Sequence, residues 1–158
     1  MIGNHGPTYY RRYPVAFRRS VPDCRTPELR DCSRDEVVNA FDNALLYTDH
    51  VVASAIDALQ ESAPRLDAAL LYVSDHGETL GDGGFYRHGL PWSIAPEAQT
   101  HVPMVLWTST GFASAAGVDM ACLRKRAGEP LSHDNLFDSM LGAMAVQTSV
   151  YRRELDVF

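Results

Sequence analysis

Between Ser74 and Glu78 the chain reads Ser-Asp-His-Gly-Glu, which places Asp75, His76 and Glu78 within four positions. At a turn, adjacent side chains need not diverge as they do along a strand, so Asp75 and His76 can offer an oxygen and a nitrogen to one metal ion. That pair of donors suits zinc, which takes about four ligands. The remaining donors must come from elsewhere, and His5 and His88 are the candidates. Either could complete the sphere, bind a second metal or hold a substrate phosphate, while Glu78 could brace a ligand histidine. Plainer readings stand beside these: the turn as a strand cap, and His5 as a solvent-exposed loop residue.

The elements around these residues determine whether they can meet. Ala68 to Val73 has the length and the Leu, Tyr and Val content of a strand buried on both faces, which predicts a central parallel strand. Ser74 to Glu78 then falls at the carboxyl end of that strand, where open α/β sheets form their sites. Gly77, Gly81, Gly83, Gly84 and Gly89 make a flexible connection that can return His88 towards Asp75 and His76. A phosphate cradle is the competing reading of these glycines, but the Lys-Ser/Thr pair and the immediate helix of a P-loop are missing. Met1 to Cys32 shows no sustained period and reads as a long ordered loop, in which Gly3 and Gly6 permit tight bends that present His5. Cys24 and Cys32 are close enough to form a small disulfide in an oxidising compartment. Free thiols and a metal pair are the alternatives, the latter without CxxC spacing. Cys122 is left over as an ordinary thiol.

Ser33 and Glu36 form a capping box, and Val37, Phe41, Ala44, Leu45, Val52, Ile56 and Leu59 recur at spacings of three and four. This predicts an amphipathic helix from Ser33 to about Glu61, stopped by Pro64. Asp42 and Asp49 border its apolar stripe and read as solvated, and His50 as surface. Val102 to Thr108 is the second strand, with Pro103 near its start. His101 at its entry reads as structural. A short helix is expected from Met120 to Arg126. Ser132 is expected to cap a last helix whose Leu136, Phe137, Met140, Leu141 and Met144 form an apolar face, with the methionines as core filler and His133 positioning the turn. Helix followed by strand predicts an α/β fold with a crossover and a mostly parallel sheet. Two clear strands and two clear helices are little framework for such a sheet, so residues 1–158 are expected to be part of a larger domain.

The chain has 158 residues, 46% of them hydrophobic and 22% charged, a composition that argues against wholesale disorder. A net charge of -6 argues against general nucleic-acid affinity. Arg11, Arg12, Arg18, Arg19 and Arg124 to Arg126 form only short clusters and read as solvated surface. The sequence contains no apolar run long enough for a transmembrane helix. Met1 to Tyr10 lacks the basic start and apolar core of an export signal.

Several segments in linear order, NHGPTYYRRYP, CRTPELRDC, EVVNAFDNALLYTD, YVSDHGETLG, YRHGLP, PEAQTHVPMVLW and SHDNLF, closely resemble bacterial phosphoethanolamine transferases that modify lipid A. That group includes colistin-resistance enzymes and lies in the sulfatase branch of the alkaline phosphatase superfamily. The resemblance covers nearly the whole chain. It implies the carboxyl-terminal part of a sulfatase-like sandwich, with a mostly parallel sheet flanked by helices. The implied enzyme uses zinc and a threonine nucleophile to take ethanolamine phosphate from phosphatidylethanolamine and pass it to a lipid A phosphate. By motif match, Asp75 and His76 resemble ligands of the catalytic zinc. His5 and His88 resemble histidines that contact the phosphate or a second zinc and that give or accept a proton, and Glu78 falls in the same motif. Cys24 and Cys32 match a family disulfide, consistent with an inner-membrane protein whose catalytic domain is periplasmic.

Some family features are not matched. The family's membrane helices, glutamate zinc ligand and threonine nucleophile have no counterpart, and no threonine here takes that role by motif. Asn4 stands where the family pattern has serine. The expectation is a fragment with part of a zinc site. The alternatives are a superfamily member with another acceptor or with hydrolytic activity, and a noncatalytic module that folds alone.

Overall fold

The capping box forms as the sequence predicts. Glu36 accepts from the Ser33 amide at 2.8 Å, and Ser33 Oγ accepts from the Glu36 amide at 3.3 Å. From this start the computed structural model, which describes residues 3–158, runs a first helix, α1, over Arg34–Ser62. Strand β1 (Ala69–Val73) follows, then β2 (Thr79–Leu80), β3 (Tyr86–Arg87), α2 (Glu97–Thr100), β4 (Met104–Thr108), α3 (Thr110–Ala115), α4 (Met120–Arg126) and α5 (Asp134–Ala143). The chain divides into two compact units. One takes residues up to Ala58 with Leu70–Leu106, and the other takes Leu59–Ala69 with Trp107–Phe158.

In the first unit the start of α1 buries Val37, Ala40 and Ala44. Val37 and Ala40 share a core cluster with Tyr9, Cys24 and Leu29, against which Phe41, Leu80 and Tyr86 pack. The Tyr9 and Phe41 rings meet edge to face at 5.6 Å. A segment without periodicity is thus ordered by the helix beneath it. Asn43, buried on α1, accepts from the Arg19 and Ser20 amides at 2.8 Å each and donates to the Ser20 carbonyl at 2.8 Å. Asn39 donates to the Pro22 carbonyl at 2.8 Å. These amide side chains satisfy loop backbone groups that no strand or helix would otherwise pair. The buried face of α1 is therefore partly polar, with Asn43 and Thr48 inside, whereas Leu45 of the expected apolar stripe is exposed.

Cys24 and Cys32 form the disulfide, with Cα atoms 5.8 Å apart. Beside it Asp23 is buried, accepting from Tyr13 Oη at 2.6 Å and from Arg18 Nε at 2.8 Å. Burial pushes the Asp23 pKa up, but the bonds from Arg18 and Tyr13 outweigh burial and hold it below the usual carboxylate range. Tyr13 is pushed up to about 12, first by burial and then by its bond to Asp23.

β1 pairs with β4, and β2 pairs antiparallel with β3 in the register Thr79 to Arg87 and Leu80 to Tyr86. Main-chain bonds flank the β1–β4 pair, from Ser109 N to Ala68 O at 2.8 Å and from Ser74 N to Pro103 O at 3.3 Å. This is the order of an antiparallel pair. The α/β character is as expected, but no parallel pair is present among the described strands. β1 is also not buried on both faces: Ala69 is exposed and Leu70 to Val73 are half-buried. Its other edge has no partner strand among the described residues.

In the second unit Ser109 caps α3 and Asp119 caps α4 through side-chain oxygens. Helix α5 begins one residue later than expected, with the Ser132 hydroxyl accepting from the Asp134 amide at 3.2 Å. Its inner face is polar. Asp138 accepts from the Arg152 amide at 2.6 Å and from its guanidinium at 3.0 Å, and Ser139 accepts from the Val157 amide at 3.1 Å. Met140 and Met144 are consequently exposed rather than core filler, because that polar network with the chain's last residues occupies the inner face. Cys122 is free and exposed.

Replacing Cys24 and Cys32 with serine is expected to lower unfolding free energy by about 2–3 kcal/mol, read by chemical denaturation. Asp23→Asn is expected to cost about 1.5–3 kcal/mol at neutral pH. Because the folded pKa of Asp23 is depressed, its contribution is present above the unfolded value of about 3.9 and is lost as pH falls through the lower folded value. Denaturation curves at a series of acid pH values should show the parent losing stability there and the variant losing less.

Candidate functional site

His76 leaves β1 through a turn whose backbone is set by Gly77. The Gly77 amide donates to Gln99 O at 2.9 Å, and a Cβ on Gly77 would lie 2.1 Å from Ala98 O, so the turn lies against α2 at a distance only glycine permits. The next residues pass into the β2–β3 hairpin, which returns the chain to His88. Arg87 at its end has φ of 67°, in the left-handed region. Its carbonyl accepts from Thr79 Oγ1 at 2.8 Å and from Gln99 Nε2 at 3.1 Å. Two buried side chains thus hold the strained residue that aims His88.

His5 arrives from the loop before α1. Three imidazoles from distant parts of the sequence converge: the His76 and His88 rings stack with centroids 3.7 Å apart, and His5 meets His88 edge-on at 4.7 Å and His76 at 5.5 Å. One nitrogen from each lies within 4.8 Å of the others, the one such potential metal group among the described residues. His5 and His76 each have Nδ1 against the carbonyl of the following glycine, at 2.7 and 2.9 Å. A carbonyl only accepts, so Nδ1 carries the proton and Nε2 keeps a lone pair for a metal or a phosphate-bound proton. His88 Nδ1 is buried and without a hydrogen-bond partner, alone in this among the described residues. Its polar neighbour is the Glu78 carboxylate, 3.4 Å away but outside hydrogen-bond geometry.

Beneath the imidazoles lies Glu78, with only 4% of its side chain exposed. One carboxylate oxygen accepts from the Gly6 amide at 2.8 Å, and the other accepts from the Tyr9 hydroxyl. The first also lies 3.4 Å from His88 Nδ1 and 3.9 Å from His5 Nδ1. A Cβ on Gly6 would sit 2.7 Å from Tyr9 Oη and 2.9 Å from Glu78 Oε2. Burial, and then the bond to Glu78, push the tyrosine pKa far up, so Tyr9 remains a donor.

Of the residues singled out from the sequence, His5, His76, His88 and Glu78 are brought together. Asp75 neighbours them differently: its side chain is 90% exposed, its Oδ1 lies 3.9 Å from His76 Nε2, and it is not one of the three converging donors. Asp42 and Asp49 are exposed on α1, and His101 is an exposed partner of Glu97. Tyr9, Thr79 and Gln99 were not anticipated. Buried polar residues of this kind leave no periodic trace, and only their nearness to the histidine motifs could have drawn notice. The donor set fits a metal ion that accepts nitrogen and oxygen, with a carboxylate behind the imidazoles.

A family model described as Sulfatase matches residues 1–146. The chain belongs to the sulfatase family. It is 48% identical over 157 residues to the phosphoethanolamine transferase EptA of Salmonella typhimurium, covering 99% of this chain and 29% of that protein. With the phosphatidylethanolamine transferase Mcr-1 of Escherichia coli it shares 47% identity over 107 residues, 68% of this chain and 20% of the relative. The solved soluble domain of lipooligosaccharide phosphoethanolamine transferase A from Neisseria meningitidis superposes on all of this chain and 48% of that one, with a TM-score of 0.95 and 44% identity. The chain therefore spans less than a third of the length of the curated relatives it matches. None of its described helices is long and apolar enough to cross a membrane.

Glu78→Ala is expected to weaken zinc or cobalt binding by this chain about 10- to 100-fold, measured by calorimetric titration, because His5 and His88 lose the carboxylate that orients them.

Proposed function

We propose that this chain forms part of the catalytic domain of a zinc-dependent phosphoethanolamine transferase, which moves ethanolamine phosphate from phosphatidylethanolamine to a phosphate of lipid A. The observation that carries this reading is the convergence of His5, His76 and His88 over the buried Glu78, in a chain so similar to phosphoethanolamine transferases. In this reading Asp75 and His76 are ligands of the catalytic zinc, and His5 and His88 hold the phosphoryl group or a second zinc.

Zinc, when bound, supplies positive charge beside the phosphoryl oxygens and favours a deprotonated nucleophile at neutral pH. His5 and His88, with ring nitrogens free to carry a proton, offset the negative charge that builds up on those oxygens. His5, the most open of the three rings, is placed to give a proton to the departing diacylglycerol oxygen. The nucleophile is a threonine supplied from outside these residues. Its oxygen takes the phosphorus as the bond to diacylglycerol breaks, and a lipid A phosphate oxygen then takes the phosphorus from it, so one site serves two lipids in turn. Glu78 positions both histidines, held in place by Tyr9 and the Gly6 amide. In the reading of localisation that accompanies this function, the chain lies on the periplasmic side of the inner membrane, where the Cys24–Cys32 disulfide is stable.

The test is a transfer assay on the complete protein containing this sequence, with labelled phosphatidylethanolamine and lipid A. His76→Ala and His88→Ala are expected to lower transfer at least about 100-fold. Transfer that persists in both variants would overturn the proposal, and release of free ethanolamine phosphate in place of transfer would favour a hydrolase.

A further inference from the structure

The loop between the site and the disulfide carries a charge balance opposite to that of the whole chain. Up to Cys32 the sequence holds six of the 14 basic residues, all arginine, and three of the 20 acidic ones. Three of these arginines are gathered by contacts. The Arg11 and Arg25 guanidinium carbons lie 5.5 and 5.7 Å from the centroid of the Tyr10 ring. Arg25 is also 3.6 Å from Asp23, whose other oxygen accepts from Arg18 Nε at 2.8 Å. One ring and one buried carboxylate therefore hold three guanidinium groups together, leaving two positive charges in excess. All three arginines remain exposed.

Between the Arg11-Arg12 and Arg18-Arg19 pairs the chain makes a short 3₁₀ turn, Val15–Phe17. Phe17 faces inwards, its ring 4.9 Å from that of Tyr47 on α1, and this fixes the turn to the helix. Val15 is thereby turned outwards and is 87% exposed, with Pro14 and Ala16 exposed beside it and Val21 57% exposed beyond the second arginine pair. The same loop is joined to the site, since Arg12 Nε donates to the His5 carbonyl at 3.0 Å.

We infer that this loop is a docking surface for an anionic lipid bilayer, with Arg11, Arg18 and Arg25 contacting lipid phosphates and Val15 and Val21 entering the interface. Charge alone would suit any polyanion. The aliphatic tip selects a bilayer, because a nucleic acid or an acidic polymer has no apolar layer beneath its phosphates to receive valine. Guanidinium groups pair with phosphate oxygens in bidentate fashion, and those held on Tyr10 and Asp23 are already partly ordered. With the loop lying on the bilayer, His5 is held near the lipid headgroups. The inference concerns binding without turnover and is independent of the transferase reading.

The experiment is co-sedimentation of the 158-residue chain with phosphatidylcholine vesicles, with and without about 30 mol% phosphatidylglycerol. The anionic vesicles are expected to bind at least about 10-fold more tightly, and Arg11→Gln with Arg25→Gln should remove most of that difference. Val15→Ser with Val21→Ser is expected to weaken binding about 3- to 10-fold. These valines are exposed, so an unchanged thermal transition should confirm that the fold is kept. Equal binding to both vesicle types, no binding to either, or loss in the arginine variant without loss in the valine variant would each overturn the proposal. The last result would assign the loop to soluble polyanions.

Discussion

The Glu78 carboxylate is the interaction on which the rest of this site depends. It is almost entirely removed from solvent, and a buried carboxylate is tolerated only where its oxygens are satisfied. The Gly6 amide and the Tyr9 hydroxyl satisfy it, and both come from the loop that carries His5. Burying Glu78 therefore folds that loop over the turn following β1 and places His5 against His76 and His88. Gly6 can have no side chain because tyrosine and carboxylate occupy the space, and Tyr9 is the link between this anchor and the core packed on α1.

A second constraint acts from the opposite side. Gln99 accepts from the Gly77 amide through its backbone, while its side chain donates to Thr79 and to the Arg87 carbonyl. A single buried amide thus connects the turn bearing His76 with the hairpin that returns His88. The loops are long, yet the histidines are not left to loop flexibility, since each is held by polar groups with few other partners available. With the imidazoles held close by these polar groups, a ligand spends less free energy in ordering them.

The disulfide loop extends the same logic outwards. Asp23 and Tyr13 are buried and bonded to one another beside Cys24, the exposed Arg18 bonds the same carboxylate, and Asn43 holds the adjoining backbone on α1. A segment with no helical or strand period is thereby made rigid enough to hold arginines and an exposed valine in set places. The pH at which this order weakens is tied to Asp23, whose pKa is held below the usual carboxylate range by its bonds to Arg18 and Tyr13.

The sequence by itself determined the long helix from its capping box, both main strands within a residue or two, the helix Met120–Arg126, and the histidine and acidic residues worth attention. Each of these rests on local rules: a hydroxyl and a carboxylate three residues apart, an apolar run of fixed length, chemically versatile residues beside glycine. Only the tertiary structure decided the antiparallel sense of β1 and β4, the polar inner faces of α1 and α5, and the exposure of Met140 and Met144. It alone placed Tyr9, Thr79 and Gln99 beneath the site and turned Asp75 outwards. The physical reason is that a buried polar residue is specified by its partner, and here the partners lie as far apart in sequence as Gly6 and Glu78. Periodicity records which residues avoid water, whereas the site is built from groups that remain polar and leave water only because a distant part of the chain completes their bonds.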